Sequence, residues 1–279
     1  MGVDVTESAA SGLGQRHALT RTEVPGSVPA LFVHGFATSQ EMWRRLLPEL
    51  ASDRSTLLMD HVGAGSSDLS AYDPRRYQSL TGYADDVVAL LDELDLGPVD
   101  VIGHSAGSMI GALVAVQRPD LVASLSMIGG SPRYLDDDGY VGGFTQEAIE
   151  DLIGAMQANF VGWSRSLAPV VMANPDRPEL AEELADTFAH TSASIAIDFA
   201  RAIFFSDFRE VLPAIAVPTL VVQAADDPMV PEAVGHYLHE SIADSRLELL
   251  RATGHFPHVS GPEETASILS DFLAQRPRP

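Results

Sequence analysis

Six runs of apolar, β-favouring residues recur along the chain: Ala30–Val33, Thr56–Met59, Val99–Ile102, Val122–Ile128, Thr219–Gln223 and Leu247–Leu250. They are continuous rather than alternating, so each predicts a strand covered on both faces. Helical patterns lie between them, at Ser39–Leu50, Leu80–Leu94 and Glu232–Ser241. Strands of this kind separated by helices specify a mostly parallel sheet with helices on both faces, an α/β fold. The alternation stops after Ile128. From about Arg133 to Phe208 only helical patterns occur: Thr145–Asn159, Trp163–Met172, Pro178–His190 and Ser192–Phe204. A block of four helices between two strands predicts a cap inserted into the core. The organisation expected is a flexible tail over 1–15, a core over 16–132 and 209–279, and a helical cap over 133–208.

Composition narrows the function classes. The 279 residues suit one large α/β domain with an insertion. With 17 basic against 39 acidic residues the formal net charge is −22, which opposes binding to nucleic acid or an anionic membrane. We read the charge as a solubility feature. The chain has no cysteine, so disulfides, thiolate metal sites and thiol nucleophiles are excluded. No apolar run reaches the length of a membrane span. Residues 1–15 lack the basic start and apolar stretch of a secretory signal, so a cytoplasmic location is expected. Residues 1–6 fit a myristoylation pattern in form only, and we read the match as chance.

The chemistry centres on Gly103-His104-Ser105-Ala106-Gly107, which follows the run Val99–Ile102 and precedes a helical stretch from Ser108 to Gln117. A G-x-S-x-G at a strand-to-helix turn lifts the serine hydroxyl out of the sheet, above unpaired amides at a helix N-terminus. A nucleophilic Ser105 requires an acid and then a histidine further along the chain. Asp227 lies in Ala225-Asp226-Asp227-Pro228, where a strand runs into a loop, and His255 lies in Gly254-His255-Phe256 after the final strand. Loops at the carboxyl ends of parallel strands converge on one sheet edge, so the three can meet there. His255 would take and return the Ser105 proton, and the carboxylate would hold the imidazole tautomer. The spacing to Pro231 favours Asp227 over Asp226 as that carboxylate. The oxyanion hole then needs the amide of Ala106 and one from the loop after the first long strand, at Phe36.

Other histidines have plainer roles. His34 belongs to the turn Val33-His34-Gly35-Phe36, His104 packs beneath the elbow, and His258 braces the loop after His255. His17, His61, His190, His236 and His239 have no catalytic context. No set of His, Asp and Glu has metal-ligand spacing, so neither metal nor cofactor is expected. Asp60-His61-Val62-Gly63-Ala64-Gly65-Ser66-Ser67-Asp68 superficially suggests a phosphate loop. Its spacing fits neither nucleotide fingerprint, and a tight structural turn is expected.

Taken together, the elbow, His34-Gly35-Phe36, the Asp60–Asp68 turn, Asp227 and Gly254-His255 resemble the α/β-hydrolase superfamily. Ser131-Pro132-Arg133-Tyr134-Leu135, Gly142-Gly143-Phe144, Gly162-Trp163, Asn174-Pro175-Asp176-Arg177-Pro178 and Phe204-Phe205-Ser206-Asp207 resemble its RsbQ-like subgroup more narrowly. That subgroup also contains the plant strigolactone and karrikin receptors. The resemblance implies a four-helix cap over a deep apolar pocket lined by Phe36, Tyr134, Phe144, Trp163, Phe204 and Phe205, with Leu167 where plant receptors tend to carry Phe. It further implies a small apolar ester or lactone as ligand, hydrolysed through an acyl-enzyme. The alternative it implies is a ligand-sensing signalling regulator that hydrolyses slowly and acts on a protein partner through the cap. Gly35-Phe36-Ala37 in place of Gly-Phe-Gly, and Ala106 in place of Val, depart from the subgroup pattern.

Overall fold

The computed structural model describes residues 12–50 and 54–275. In chain order the elements are α1 (Gly12–Arg16), β1 (Thr20–Thr22), β2 (Ala30–Val33), β3 (Thr56–Met59), α2 (Leu80–Leu94), β4 (Val99–His104), α3 (Ala106–Gln117) and β5 (Val122–Ile128). They continue with α4 (Gln146–Ala158), α5 (Phe160–Met172), α6 (Pro178–Ala189) and α7 (Ala193–Phe204). The chain then returns to the sheet with β6 (Thr219–Ala225), α8 (Glu232–Ser241), β7 (Ser245–Thr253), α9 (Pro257–Ser260) and α10 (Pro262–Ala274).

The strands form one sheet in the order β1-β3-β2-β4-β5-β6-β7, with β1 antiparallel to β3 and every other pairing parallel. The central runs behave as their composition requires, but β7, at the sheet edge, does not: most of its residues are half-buried or exposed, and Leu249 is 49% exposed. All residues of β2 and β4 are buried, because helices cover both faces. Leu31 and Val33 face a core built with α2, α3 and the cap. Ala30 and Phe32 face the opposite core, with Trp43, Leu46 and the apolar side of α10. Trp43 is fully buried, its ring 5.2 Å from that of Phe32 in an edge-on contact.

Three expectations need correction. Ser39–Leu50 is not one α-helix but two short 3₁₀ turns, Gln40–Trp43 and Leu47–Glu49. Pro48 supplies no amide to a longer helix, and the Gln40 amide is drawn to Asp60 Oδ1 at 2.8 Å instead. Strand β1 was not foreseen, being three polar residues on the sheet edge. Of the segment expected as a tail over 1–15, the described part is helical, in Gly12–Arg16; the rest, including residues 1–6 with the myristoylation pattern, lies outside the described residues.

Helices α4–α7 stand between β5 and β6. Two segments tie this cap to the core, and they lie side by side: Phe208 N–H donates to Pro132 carbonyl at 2.8 Å, and Arg133 pairs with Asp207 at 3.1 Å. Arg209 joins them, bonded to Asp207 and Asp137 at 2.7 and 2.8 Å, with its guanidinium over the Tyr140 ring. Within the cap, α5 packs against α6 and α4 against α7. Among the described residues no helix is long and apolar enough to cross a membrane.

Candidate active site

The elbow at Ser105 is forced by close approach. Ser105 has φ 53° and ψ −119°, a conformation that L residues rarely adopt. A Cβ at Gly103 would lie 2.4 Å from the Gly107 carbonyl oxygen, and one at Gly107 would lie 2.1 Å from that of Val33. Both glycines are therefore required for β4 to turn sharply into α3. The strained turn makes Ser105 the N-cap of α3, whose first residue, Ala106, has an amide without an intrahelical acceptor.

The structure brings Asp227, His255 and Ser105 into one hydrogen-bonded row. His255 Nε2 is 2.8 Å from Ser105 Oγ, and His255 Nδ1 is 2.8 and 3.1 Å from the two Asp227 oxygens. The carboxylate can only accept, so Nδ1 carries the proton and Nε2 is left to accept from the serine hydroxyl. Asp227 is aimed by its own loop: Oδ1 accepts the amides of Met229 at 2.8 Å and Val230 at 3.1 Å. Its side chain is fully buried, with His255 only 7% exposed. Asp226, one residue after β6, takes φ 49° and is exposed, so it does not reach the imidazole.

His104 is more than packing. Its Nε2 donates to the His255 carbonyl at 2.7 Å, bonding the elbow strand to the loop of the base. Burial holds its pKa well below the ordinary imidazole value, so it stays neutral. On the other side of the elbow, His34 and His61 form a reciprocal pair. The His61 amide donates to His34 Nε2 and His61 Nε2 donates to the His34 carbonyl, both at 3.0 Å, while His34 Nδ1 donates to the Gly35 carbonyl at 2.9 Å. This knot fixes the turn that carries Phe36. The Asp60–Asp68 segment is the structural turn expected: Asp60 Oδ2 accepts the Ser66 amide, and a Cβ at Gly65 would lie 2.2 Å from that same oxygen.

Above Ser105 lies a small, narrow cavity of about 30 Å³. Phe36, Tyr134, Trp163, Leu167 and Phe204 are among the residues that line it. Phe36 is its hub, with ring centroids 6.1 Å from Trp163, 6.3 Å from Phe188, 6.0 Å from Phe199 and 6.4 Å from Phe204. Two assignments fail. Phe205 is 38% exposed because it follows the last turn of α7 on its outer side. Phe144 sits one layer back, its ring 6.4 Å from Tyr134 and 6.3 Å from Phe204. Val171, Phe188, Ile203, Met229 and Phe256 line the cavity and were not singled out. Val171 was within reach of the sequence, since Trp163, Leu167 and Val171 recur every four residues on one face of α5. The Tyr134 hydroxyl stands 3.5 Å from Ser105 Oγ. Among the described residues no Asp, Glu, Lys or Arg lines the cavity. Among the described residues no cluster of His, Asp and Glu is arranged to hold a metal ion.

Residues 29–262 match the family model of the alpha/beta hydrolase fold. The chain is 36% identical over 245 residues to the Karrikin insensitive 2 receptor CA of Petunia hybrida, covering 88% of this chain and 91% of the relative. It is 37% identical over 241 residues to a strigolactone esterase of Arabidopsis thaliana, covering 86% and 90%. A hydrolase from Oleispira antarctica superposes with a TM-score of 0.92 at 37% identity, over 98% of this chain and all of that one. An elbow serine under a four-helix cap, on a sheet of this order, and these likenesses over most of the chain have one conclusion: the chain belongs to the alpha/beta hydrolase fold family, related within it to karrikin-insensitive receptors and strigolactone esterases of plants.

Proposed function

We propose that the chain is a serine hydrolase that cleaves a small, uncharged, apolar ester or lactone through an acyl-enzyme. The observation that carries this reading is the row Asp227–His255–Ser105 at the floor of an aromatic cavity without formal charge. His255 Nε2 takes the Ser105 proton as Oγ attacks the acyl carbon. The tetrahedral oxyanion is held by the amides of Phe36 and Ala106. His255 then returns the proton to the leaving alcohol, or to the ring oxygen of an opened lactone, and next activates the water that releases the acid. A wall of Phe36, Trp163, Leu167 and Phe204 binds apolar acyl groups and strengthens electrostatics at Ser105 by excluding water. The product acid meets no cation there, so its charge favours departure.

Exchange of Ser105 for alanine tests the reading. Ser105→Ala should abolish hydrolysis of p-nitrophenyl acetate while circular dichroism stays that of the wild type. Retained turnover would rule the serine out. A second reading, in which slow hydrolysis serves ligand sensing, starts from the name of one relative, a karrikin-insensitive receptor. Many rapid turnovers per molecule support the metabolic enzyme, and one slow turnover supports the sensor.

A further inference from the structure

The loop that carries His255 is bonded to the cap as well as to the core. His255 N–H donates to the Val171 carbonyl at 2.8 Å, in the last turn of α5. Carbonyls at the end of a helix have no partner within it, and here the base loop supplies one. Thr253 Oγ1 donates to the Ala173 carbonyl at 3.2 Å. Asn174 Nδ2 donates to the Met172 carbonyl at 2.6 Å and to the Thr253 carbonyl at 3.2 Å, so one amide bridges the end of α5 and the end of β7. That amide is itself oriented, because Asn174 Oδ1 accepts from Arg177 at 2.5 Å. The same Arg177 nitrogen donates to the Ser260 carbonyl at 2.6 Å, beyond the base. Between these contacts Gly254 has φ +84°, and a Cβ there would lie 2.1 Å from the Met172 carbonyl oxygen. The two segments meet backbone to backbone.

We infer that Asn174 and Arg177 are positioning residues for His255, clamping the end of cap helix α5 to the loop of the general base. The inference rests on the acyl-enzyme reading above. Its consequence is mechanical. Trp163, Leu167 and Val171 on α5 wall the cavity, so a ligand that shifts this helix also shifts the carbonyl holding the His255 amide. The cap thereby sets where the imidazole stands. Displacing a catalytic group by about 1 Å can cost on the order of a hundredfold in rate. The segment Asn174-Pro175-Asp176-Arg177-Pro178 suits the task, since its two prolines restrict the turn that presents the amide and the guanidinium.

The test compares wild type, Asn174→Ala, Arg177→Met and the double variant in the full chain, at a temperature where all are folded. The readouts are kcat and KM for p-nitrophenyl acetate and the rate of covalent labelling by a fluorophosphonate. Because the base serves both acylation and deacylation, kcat should fall roughly tenfold or more in Asn174→Ala with KM little changed, and labelling should slow in parallel. Arg177→Met should fall in the same direction. The double variant should lose clearly less than the product of the two single losses, because Arg177 acts largely by orienting that amide, its bond to Ser260 being the remainder. Single variants with wild-type kcat, or losses that multiply in the double variant, would overturn the clamp. Arg177 is exposed, so Arg177→Met carries the test by itself if Asn174→Ala fails to fold. Wild type that turns over and is labelled at Ser105 beside unaffected variants refutes the clamp alone. Wild type that is not labelled at Ser105 refutes the acyl-enzyme reading, and the clamp with it.

Discussion

Ser105 holds a backbone conformation that its own side chain disfavours, and the neighbours that enforce it are the ones the chemistry uses. Its amide donates to the Ile128 carbonyl at 2.8 Å, its hydroxyl faces His255, and the helix that follows begins at Ala106. At this scale the choice between adjacent aspartates has a sharp consequence. Asp227 is buried on the imidazole and held by two amides, whereas Asp226 faces solvent. Asp227→Asn should lower kcat by roughly 10⁴-fold, as expected when the tautomer of a triad histidine is lost. Asp226→Asn should stay near wild type. Steady-state kinetics on one short ester decides it, and the reverse ranking would reassign the acid. Ser105 and His255 were legible because each sits in a short motif whose spacing is set by a turn. Asp227 was less so, since two neighbouring aspartates differ only in which one the turn at φ 49° sends outward. Phe205 misled for a related reason: it follows Phe204 directly, and a step of one residue along a helix turns the side chain by about 100°, from the buried face toward solvent. The Tyr134 hydroxyl beside Ser105 Oγ depends on a loop whose path no local pattern encodes.

Among the elements, five buried histidines stand neutral, from His17 ahead of β1 to His258 in α9. His17, His34, His61, His104 and His258 all have lowered pKa values, and burial is the first cause in each. His34 is held down to about 4 and His258 to about 3. In the unfolded chain these imidazoles titrate near 6.5. Between pH 6.5 and about 4 the unfolded chain therefore binds protons that the folded chain refuses, and stability falls as pH falls through that window. Above pH 6.5 the contribution is fully present. For His34 by itself the change is on the order of 3 kcal/mol. The midpoint of urea unfolding should drop steeply from pH 7.5 to pH 5, and an unchanged midpoint would contradict the assignment of neutral buried imidazoles. The apolar strands β2 to β6 were legible because burial on both faces leaves a continuous run. Strand β1 and the 3₁₀ turns were not, for they are placed by a sheet edge and by Asp60 rather than by periodicity.

Over the whole molecule the cap and the sheet form one working unit. The serine comes from the sheet, the acid and base from loops after β6 and β7, and the aromatic wall from α5, α6 and α7. The parallel sheet with an inserted helical block could be read from the alternation of runs and its interruption. Contacts between residues some 80 positions apart, such as Thr253 with Ala173 and Asn174, could not, because they exist only once the cap has folded back on the loop of the base. The strong net negative charge lies outside the cavity, whose lining among the described residues holds no Asp, Glu, Lys or Arg. Turnover by this mechanism acylates Ser105. The most direct measurement is mass spectrometry of the protein quenched in acid during turnover of p-nitrophenyl acetate, with peptide mapping of the modified position. An acetyl group on Ser105, absent from Ser105→Ala, is the result expected; turnover with no adduct, or with an adduct confined to another residue, would contradict it.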